Sequence, residues 1–397
     1  MENVFIIDSV RTPIGKYGGA LSSVRPDDLL AHSISGLMAR NQNVDPNAIE
    51  DVIAGAANQS GEDNRNVARM ALLLAGLPSH IGGNTVNRLC ASGLQAIMDS
   101  SRTIACGDAE IMIACGVESM SRAPFVVSKA ETAFDRNSQM YDTTMGWRFI
   151  NKKLTDMYPA FSMGETAENV ANKYKISREE QDIFALSSQQ KFAEAQKNGK
   201  WSEEILPVEV KVGKSLISVS QDEHPRNSTL EKLASLKPAF VKDGSVTAGN
   251  SSGINDGSAA MLIAGENAVK KFNLKPLVKI KSMAIAGVDP AYMGIGPVPA
   301  TQKALKRAGL SIEDINLIEL NEAFASQSLA CIRELNLNKE IINVNGGAIA
   351  LGHPLGCSGV RISTTLIHEM KKRNSKYGLA TMCVGVGQGA AIIFENI

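Results

Sequence analysis

Short apolar runs alternate with longer segments of helical periodicity along most of this chain. This alternation is typical of an α/β fold, in which helices cover a sheet of buried strands. The predicted strands are Val4–Ile7, Asp51–Ala54, Ile111–Ala114, Val278–Ile280, Leu317–Leu320, Ala380–Val384 and Ala390–Phe394. The predicted helices are Pro26–Asn41, Val67–Ala75, Ser92–Ala105, Arg178–Asn198, Pro299–Arg307, Ala323–Glu334 and Gly359–Arg373.

The pattern repeats between the two ends of the chain. The segment Ala48–Ile53 resembles Ser311–Ile318, and Cys90 follows the first segment at nearly the distance at which His353 follows the second. Cys115 and Cys383 also follow the first and the second segment, respectively, at similar distances. Duplication of one α/β unit explains these spacings together, whereas chance similarity of short apolar runs is the alternative.

The duplication sets the predicted domain organisation. One half comprises residues 1–120 with about 246–270, and the other half comprises residues 271–397. Residues 121–245 interrupt the rhythm with a stretch containing methionine and aromatic residues, a long charged helix and a polar loop. We interpret them as an inserted loop domain that lies over the first half and carries binding function. An ornamental subdomain is the alternative.

Composition and charge argue against several classes of function. In 397 residues, 41 Lys and Arg balance 41 Asp and Glu, so no basic surplus indicates a nucleic-acid partner. No apolar run approaches the roughly 18 residues that a membrane span requires, and neither end resembles a targeting signal. We therefore expect a cytoplasmic protein without membrane insertion.

The cysteines and histidines argue against a metal or disulfide scaffold. The six cysteines form no C-x-x-C pair, and the five histidines are widely dispersed. Neither a structural zinc site nor a disulfide framework is expected in such a chain. Any cysteine chemistry should therefore use free thiols in a reducing compartment.

Three segments carry candidate chemistry. In NRLCASGLQAI, Cys90 precedes a predicted helix whose free amides and dipole favour a thiolate and can hold an oxyanion. In NGGAIALGHPLGCSG, Pro354 restricts His353 to extended geometry, which aims the imidazole away from the following helix. In TMCVGVGQGAA, Cys383 closes an apolar strand, where α/β sheets place catalytic groups. A buried apolar cysteine and a hydrogen-bonded core histidine are the alternatives.

Two further features leave alternatives open. In ELNEAFA, Asn321 lies between a strand and a helix, where it either holds a water molecule or caps the helix. The alternating glycines after Cys383 can also be compared with a dinucleotide-binding loop. The next segment is another apolar strand, whereas the dinucleotide fingerprint requires a helix, so the fit is poor.

These blocks, in this order and spacing, closely resemble the four signature sequences of the thiolase family. Arg11–Gly15 and Gly249–Ala260 match the family as well, and the resemblance covers the chain from Val4 to Phe394. It implies a thiolase-like fold, with two duplicated α/β halves in a layered α-β-α-β-α core and an inserted loop domain. It also implies an acyltransferase that reversibly cleaves 3-oxoacyl-CoA with CoA, giving acetyl-CoA and a shortened acyl-CoA.

The resemblance assigns a role to each candidate catalytic residue. Cys90 carries the acyl group as a thioester after His353 takes its proton. Cys383 adds a proton to, or removes one from, the α-carbon of acetyl-CoA. Asn321 holds a water that forms one oxyanion hole with His353, and the amides of Cys90 and Gly385 form the other. No metal or other cofactor is implied, since coenzyme A and acyl-CoA are substrates.

The resemblance also implies residues that contact substrate. These are Arg226, Ser252, Met163, Phe240 and Phe324. A solvated surface arginine is the alternative for Arg226, and ordinary core packing is the alternative for the two phenylalanines. The implied partners are CoA, acyl-CoA thioesters and further copies of the chain in a homodimer or homotetramer.

One position bears on the acyl group. Acetoacetyl-specific biosynthetic thiolases carry a histidine directly before the methionine of the SMGE block, where this chain has Ser162. The TTMGWRF and CVGVGQGAA segments look more like degradative 3-oxoacyl-CoA and 3-oxoadipyl-CoA thiolases. A 3-oxoacyl-CoA thiolase of β-oxidation is the main prediction, with an acetoacetyl-CoA-specific acetyltransferase or a 3-oxoadipyl-CoA thiolase as alternatives. A ketoacyl condensing enzyme and a non-catalytic acyl-CoA-binding relative are less favoured.

Overall fold

The computed structural model describes residues 2–397. The strands are β1 (Val4–Arg11), β2 (Gly15–Lys16), β3 (Ile49–Gly55), β4 (Gly82–Val86), β5 (Ile111–Ser119), β6 (Phe125–Val127), β7 (Met140–Asp142), β8 (Val208–Val212), β9 (Ser215–Val219), β10 (Asn255–Gly265), β11 (Val278–Gly287), β12 (Leu317–Leu320), β13 (Tyr377–Val384) and β14 (Gln388–Asn396). The helices are α1 (Pro26–Arg40), α2 (Val67–Leu74), α3 (Ser92–Cys106), α4 (Lys152–Met157), α5 (Met163–Lys173), α6 (Arg178–Lys197), α7 (Leu230–Ala234), α8 (Glu266–Lys271), α9 (Pro297–Ala308), α10 (Ala325–Glu334), α11 (Ala348–Leu351) and α12 (Leu355–Arg373).

Ten strands form one mixed sheet whose order displays the duplication. From the centre outwards, the N-terminal half runs β1, β10, β5, β3 and β4, with β2 paired to β10, and the C-terminal half runs β11, β14, β13 and β12. The pairs β3–β5 and β12–β13 are parallel, whereas β5–β10 and β13–β14 are antiparallel. The halves join where β1 pairs with β11 at Phe5 and Ile6. The predicted duplication is confirmed, with the strand of Cys115 matching the strand of Cys383.

Three apolar clusters divide the molecule into five layers. Helices α1 and α2 cover the outer face of the N-terminal half, and α9 and α10 cover the outer face of the C-terminal half. Helices α3 and α12 lie between the halves, in a cluster that draws side chains from both. The α-β-α-β-α layering is therefore confirmed. Its central layer is covered by a half of the sheet on each side, which removes much apolar surface from water.

The two central helices approach each other backbone to backbone. A Cβ on Gly359 would lie 2.1 Å from the nitrogen of Leu94, and one on Gly93 would lie 2.8 Å from the nitrogen of Val360. Glycine is needed at both positions because no side chain fits there. The N-termini of α3 and α12 therefore meet at the middle of the molecule, although they belong to different halves.

The apolar pattern missed seven of the fourteen strands that the structure describes, which are β2, β4, β6, β7, β8, β9 and β10. The edge strand β4 has the sequence GGNTV, which contains no apolar run, and its side chains are exposed or half-buried. The strand β10 is buried throughout but opens with the polar and small residues NDGSAA. Buried hydrogen bonds compensate for this polarity, such as the one from the Ser258 amide to the Thr12 hydroxyl at 3.0 Å.

The segment between β5 and β10 contacts both halves, which corrects the prediction that it lies over the first. Helices α5 and α6 pack on α10 and α11 of the C-terminal half. Strand β8 joins the apolar cluster under α1 in the N-terminal half through Val208 and Val210. Within residues 2–397, no helix is long and apolar enough to span a bilayer.

Candidate active site

Cys90 lies in a strained turn directly before α3. Leu89 takes a φ of 46°, in the left-handed region that is unfavourable for a leucine. Ser92 holds the turn, since its hydroxyl accepts from the Arg88 amide at 2.9 Å and donates to the Leu89 carbonyl at 2.6 Å. The turn leaves Cys90 half-buried at the N-terminal end of the helix, as the sequence predicted.

His353 lies in the turn before α12 and is held by two hydrogen bonds. Its amide donates to the side-chain oxygen of Asn255 at 2.9 Å, and its Nδ1 lies 2.6 Å from Ser358 Oγ. The Ser358 hydroxyl donates to the Pro354 carbonyl at 2.8 Å, so its oxygen is left to accept a hydrogen bond from the N–H at Nδ1. This tautomer leaves a lone pair on Nε2, as a base for a thiol requires.

Asn321 follows β12 and faces the same imidazole. Its Nδ2 lies 3.4 Å from Nε2 of His353, and its main-chain nitrogen donates to the Thr381 carbonyl at 3.0 Å. Helix α10 begins at Ala325, two residues later than predicted, and no side chain caps it. The capping alternative for Asn321 is therefore wrong. Its buried Oδ1 has no partner within residues 2–397 and is free to accept a hydrogen bond.

Cys383 lies near the end of β13 in apolar surroundings. It packs in a cluster with Ala167, Val246, Met293, Ala323, Phe324 and Met163. Burial raises the pKa of its thiol well above the usual range, and the neighbouring Cys90 raises it further. Because an ionised group here is disfavoured, Cys383 is a protonated thiol at neutral pH.

Burial also sets the protonation of Cys90 and His353. It raises the pKa of the Cys90 thiol to about 11, although the amides of Gly385 and of Cys90 itself hydrogen-bond the sulfur and oppose this shift. Burial, with a smaller contribution from Arg361, lowers the pKa of His353 to about 3. The sequence predicted that the helix N-terminus favours a thiolate, but desolvation outweighs that effect. The resting pair is thus a thiol and a neutral imidazole.

Three of the predicted substrate-contacting residues lie together beside Cys383. Met163 is the first residue of α5, and its sulfur lies close to Gly385, where a Cβ would be 3.6 Å away. The ring of Phe240 meets that of Phe324 edge-on at 6.2 Å between centroids. It also covers Gly164, where a Cβ would fall 2.0 Å from the ring. These side chains form an apolar wall next to the thiols.

The other two predicted substrate-contacting residues, Ser252 and Arg226, lie on loops that contact each other. The Ser252 amide donates to the Ala323 carbonyl at 3.0 Å, which ties this loop to the turn after Asn321. Arg226 is exposed, and within the described chain its side chain has no partner. The imidazole of His224 covers Gly253, where a Cβ would lie 2.1 Å from the ring. The structure therefore places Arg226 near the loop of Ser252 but not among the catalytic side chains.

Glu118, at the end of β5, was missed as a site residue. Its carboxylate accepts the amides of Ala57 and Asn58 at 2.9 Å and that of Gly356 at 2.8 Å. Gly356 belongs to the first turn of α12, so Glu118 links the N-terminal half to the helix that follows His353. The internal repeat matches β5, which ends near Glu118, to the strand of Cys383. This match was the signal in the sequence that could have identified Glu118.

Comparison with known proteins identifies the family. Residues 4–267 match the family model of the thiolase N-terminal domain, and residues 274–396 match that of the thiolase C-terminal domain. The chain belongs to the thiolase family. It is therefore an acyltransferase that acts on coenzyme A thioesters, and the predicted fold and enzyme class are confirmed.

Relatives match this thiolase over its full length. It is 56% identical to the 3-oxoadipyl-CoA/3-oxo-5,6-dehydrosuberyl-CoA thiolase of Escherichia coli (strain K12) and 55% identical to the beta-ketoadipyl-CoA thiolase of Pseudomonas aeruginosa, with 100% of each chain covered. Human mitochondrial 3-ketoacyl-CoA thiolase superposes with a TM-score of 0.94 at 44% identity, over 100% of this chain and 99% of the other. The acetyl-CoA acetyltransferase of Bacillus anthracis does so with a TM-score of 0.94 at 43% identity and the same coverage.

Proposed function

We propose that this thiolase cleaves a short 3-oxoacyl-CoA whose acyl chain ends in a carboxylate, with 3-oxoadipyl-CoA as its substrate. The observation that supports this substrate is the 55–56% identity to enzymes named for 3-oxoadipyl-CoA or beta-ketoadipyl-CoA. The 3-ketoacyl-CoA thiolase of Aliivibrio fischeri is 49% identical. This difference favours the 3-oxoadipyl-CoA alternative over a role in fatty-acid β-oxidation.

The cleavage begins with the neutral pair of Cys90 and His353. As the sulfur of Cys90 attacks C3 of the substrate, Nε2 of His353 takes the thiol proton. The amides of Cys90 and Gly385, which hydrogen-bond this sulfur in the resting enzyme, hold the oxygen of the attached acyl group. The tautomer fixed by Ser358 supports this role for His353 because it leaves the lone pair on Nε2.

The carbon–carbon bond then breaks. The bond between C2 and C3 gives its electron pair to C2, which becomes the enolate of acetyl-CoA, and the Cys383 thiol donates a proton to C2. Asn321 and His353 stabilise the enolate oxygen, with a water held by Asn321. A succinyl group remains on Cys90. The thiol of a second CoA gives its proton to the Cys383 thiolate and attacks the thioester carbon. The Cys90 sulfur leaves and regains its proton from His353, and succinyl-CoA is released. These groups supply every role without a metal or organic cofactor.

Substrate contacts and assembly complete the proposal. Met163, Phe240 and Phe324 line the apolar approach to the thiols, and Ser252 and Arg226 contact coenzyme A farther out. We expect the enzyme to act as a homodimer or homotetramer in the cytoplasm, as the family resemblance implies. Light scattering of the purified protein measures the assembly directly, and a monomer would contradict it.

A thiolysis assay tests the function. Purified enzyme is mixed with CoA and one of acetoacetyl-, 3-oxohexanoyl-, 3-oxooctanoyl- or 3-oxoadipyl-CoA, and loss of the thioester-enolate absorbance is followed. We expect the highest kcat/KM for 3-oxoadipyl-CoA. A higher value for 3-oxohexanoyl-CoA would overturn the substrate, and no CoA-dependent loss of any of the four would overturn the activity.

A further inference from the structure

We infer that the guanidinium of Arg148 binds the terminal carboxylate of the acyl chain and selects dicarboxylic over monocarboxylic 3-oxoacyl groups. The inference rests on the function proposed above, and it assigns the substrate's second charge to a particular side chain. Arg148 lies in the loop between β7 and α4, outside the segments that carry the catalytic residues.

Arg148 is a partly buried cation without a partner. Within residues 2–397 it makes neither a hydrogen bond nor an ion pair, and it is half-buried. Every other arginine of that range that is buried or half-buried has such a partner; these are Arg11, Arg69, Arg88, Arg122, Arg178 and Arg361. Partial removal of a charge from water without a counter-charge is unfavourable. An anionic group of the substrate supplies the missing counter-charge.

Two hydrogen bonds fix the loop of Arg148 beside the active site. The indole nitrogen of Trp147 donates to the Phe161 carbonyl at 2.9 Å. Phe161 lies two residues before Met163, the first residue of α5. On the other side, Asn58 donates to the Thr143 hydroxyl at 2.9 Å, and the Asn58 amide donates to Glu118. Arg148 is thus held between the apolar wall next to Cys383 and the carboxylate that contacts the start of α12.

Electrostatic effects link the charge of Arg148 to the surroundings of the reacting sulfur through Glu118. Burial raises the pKa of Glu118, while three amides and, with a smaller effect, the guanidinium of Arg148 oppose that rise. Glu118 in turn contributes to the raised pKa of Cys90. Glu118 therefore lies within electrostatic range of both Arg148 and Cys90, although it makes no hydrogen bond to Arg148.

The length of the acyl group fits this arrangement. After cleavage of 3-oxoadipyl-CoA, the carboxyl carbon of the succinyl group is three C–C bonds of roughly 1.5 Å each from the thioester carbon on Cys90. A cation for this group must therefore lie close to Cys90 without touching the sulfur. An arginine side chain is long enough to meet this need from a neighbouring loop such as that of Arg148, whereas an uncharged acyl chain gains nothing from the charge.

Arg88, in the turn before the nucleophile, is already engaged. Arg88 donates from Nε to Gln95 and from Nη1 to Gln388, each at 2.7 Å. Its guanidinium therefore joins the turn of Cys90 to the start of β14. Glu118 is engaged as well, since its two oxygens accept three amides. Arg361 also has unused hydrogen-bond donors, but its Nη1 lies 3.5 Å from the carboxyl group of Glu319. Arg148 is therefore the half-buried arginine that has neither a hydrogen bond nor a charged partner within residues 2–397.

The test compares two substrates that differ in the terminal group. Arg148→Gln removes the charge, and Arg136→Gln is the matched control, because Arg136 is an exposed arginine of the same segment without a partner in the described chain. For each enzyme, kcat/KM is measured with 3-oxoadipyl-CoA and with 3-oxohexanoyl-CoA. We expect Arg148→Gln to lower the ratio of the two values about 10- to 100-fold, as for loss of a charge-assisted hydrogen bond. Arg136→Gln should leave the ratio unchanged.

A second measurement changes the substrate instead of the protein. Replacing the terminal carboxylate of 3-oxoadipyl-CoA by a neutral carboxamide should lower kcat/KM of the wild-type enzyme by a similar factor, and Arg148→Gln should not distinguish the two compounds. A wild-type preference for the carboxylate that persists in Arg148→Gln would overturn the assignment of Arg148. Faster wild-type cleavage of 3-oxohexanoyl-CoA would overturn the dicarboxylic substrate and leave the thiolase reaction standing.

Discussion

The Nδ1 atom of His353 lies 2.6 Å from Oγ of Ser358, in the first turn of α12. The Ser358 hydroxyl donates a hydrogen bond to the Pro354 carbonyl, so the serine oxygen accepts a hydrogen bond from the N–H at Nδ1 of the imidazole. Which nitrogen of His353 acts as the base is therefore decided by a residue five positions along the chain. The orienting bond is made within the GHPLGCSG segment itself.

Replacement of Ser358 should slow acyl-enzyme formation. Ser358→Ala removes the hydrogen-bond acceptor for Nδ1–H, so both tautomers of His353 become populated. We expect the rate of acyl-enzyme formation to fall about 10-fold, as for the loss of one hydrogen bond of about 1.5 kcal/mol. Rapid mixing with 3-oxoacyl-CoA measures the rate, and ¹⁵N shifts of the imidazole report the tautomer. The matched control is Ser363→Ala, since Ser363 makes a similar bond to the Gly359 carbonyl at 2.8 Å. Equal losses in both variants would show a structural effect only.

The acylation step should not show the titration of an ordinary histidine. Burial lowers the pKa of His353 to about 3 and raises that of Cys90 to about 11. Between these values the imidazole stays neutral and the thiol stays protonated, so the acylation rate should be flat on both sides of the usual histidine pKa of about 6.5. Single-turnover rates over the pH range in which the enzyme stays folded provide the check. A fall by half near that pKa would mean that His353 is solvated.

Cys90→Ser should abolish the covalent intermediate. The hydroxyl is far less acidic than the thiol, and burial lowers the pKa of His353 to about 3, which makes this imidazole too weak a base to activate a serine. Mass spectrometry after incubation with acyl-CoA should find no acylated protein. Cys106→Ser is the control, because Cys106 is an exposed free thiol at the end of the same helix. An acylated Cys90→Ser enzyme would disprove the assignment of the nucleophile.

Cys383→Ser should separate acyl transfer from carbon–carbon chemistry. The variant keeps Cys90 and His353, so it should accept an acetyl group from acetyl-CoA. Its rate of thiolysis should fall at least about 100-fold, which is the lower end of the rate contribution of a general acid–base group. Acyl-enzyme yield and thiolysis are measured on the same sample. Full turnover would remove Cys383 from its proposed role.

Much of the site could be predicted from local sequence features. Cys90 and His353 lie directly before helices, as their glycine-rich and proline-containing surroundings predicted. The turn residues at both positions specify backbone geometry over a few residues, and such geometry depends on local sterics. By contrast, the boundaries of α10 and the path of β10 depend on tertiary hydrogen bonds, for example from Ala325 to Asn250, and the apolar pattern did not locate them.

The sequence alone determined the two-fold repeat, many of the strands and helices in each half, and the residue types available for acyl transfer. Those properties follow from periodicity and from the chemistry of individual side chains. Only the tertiary structure decided that Cys90 is a thiol in the resting enzyme, that His353 is neutral, and that Arg148 has no partner within residues 2–397. Protonation and pairing depend on the loss of water around a group, and this is set by segments that lie far apart in the chain.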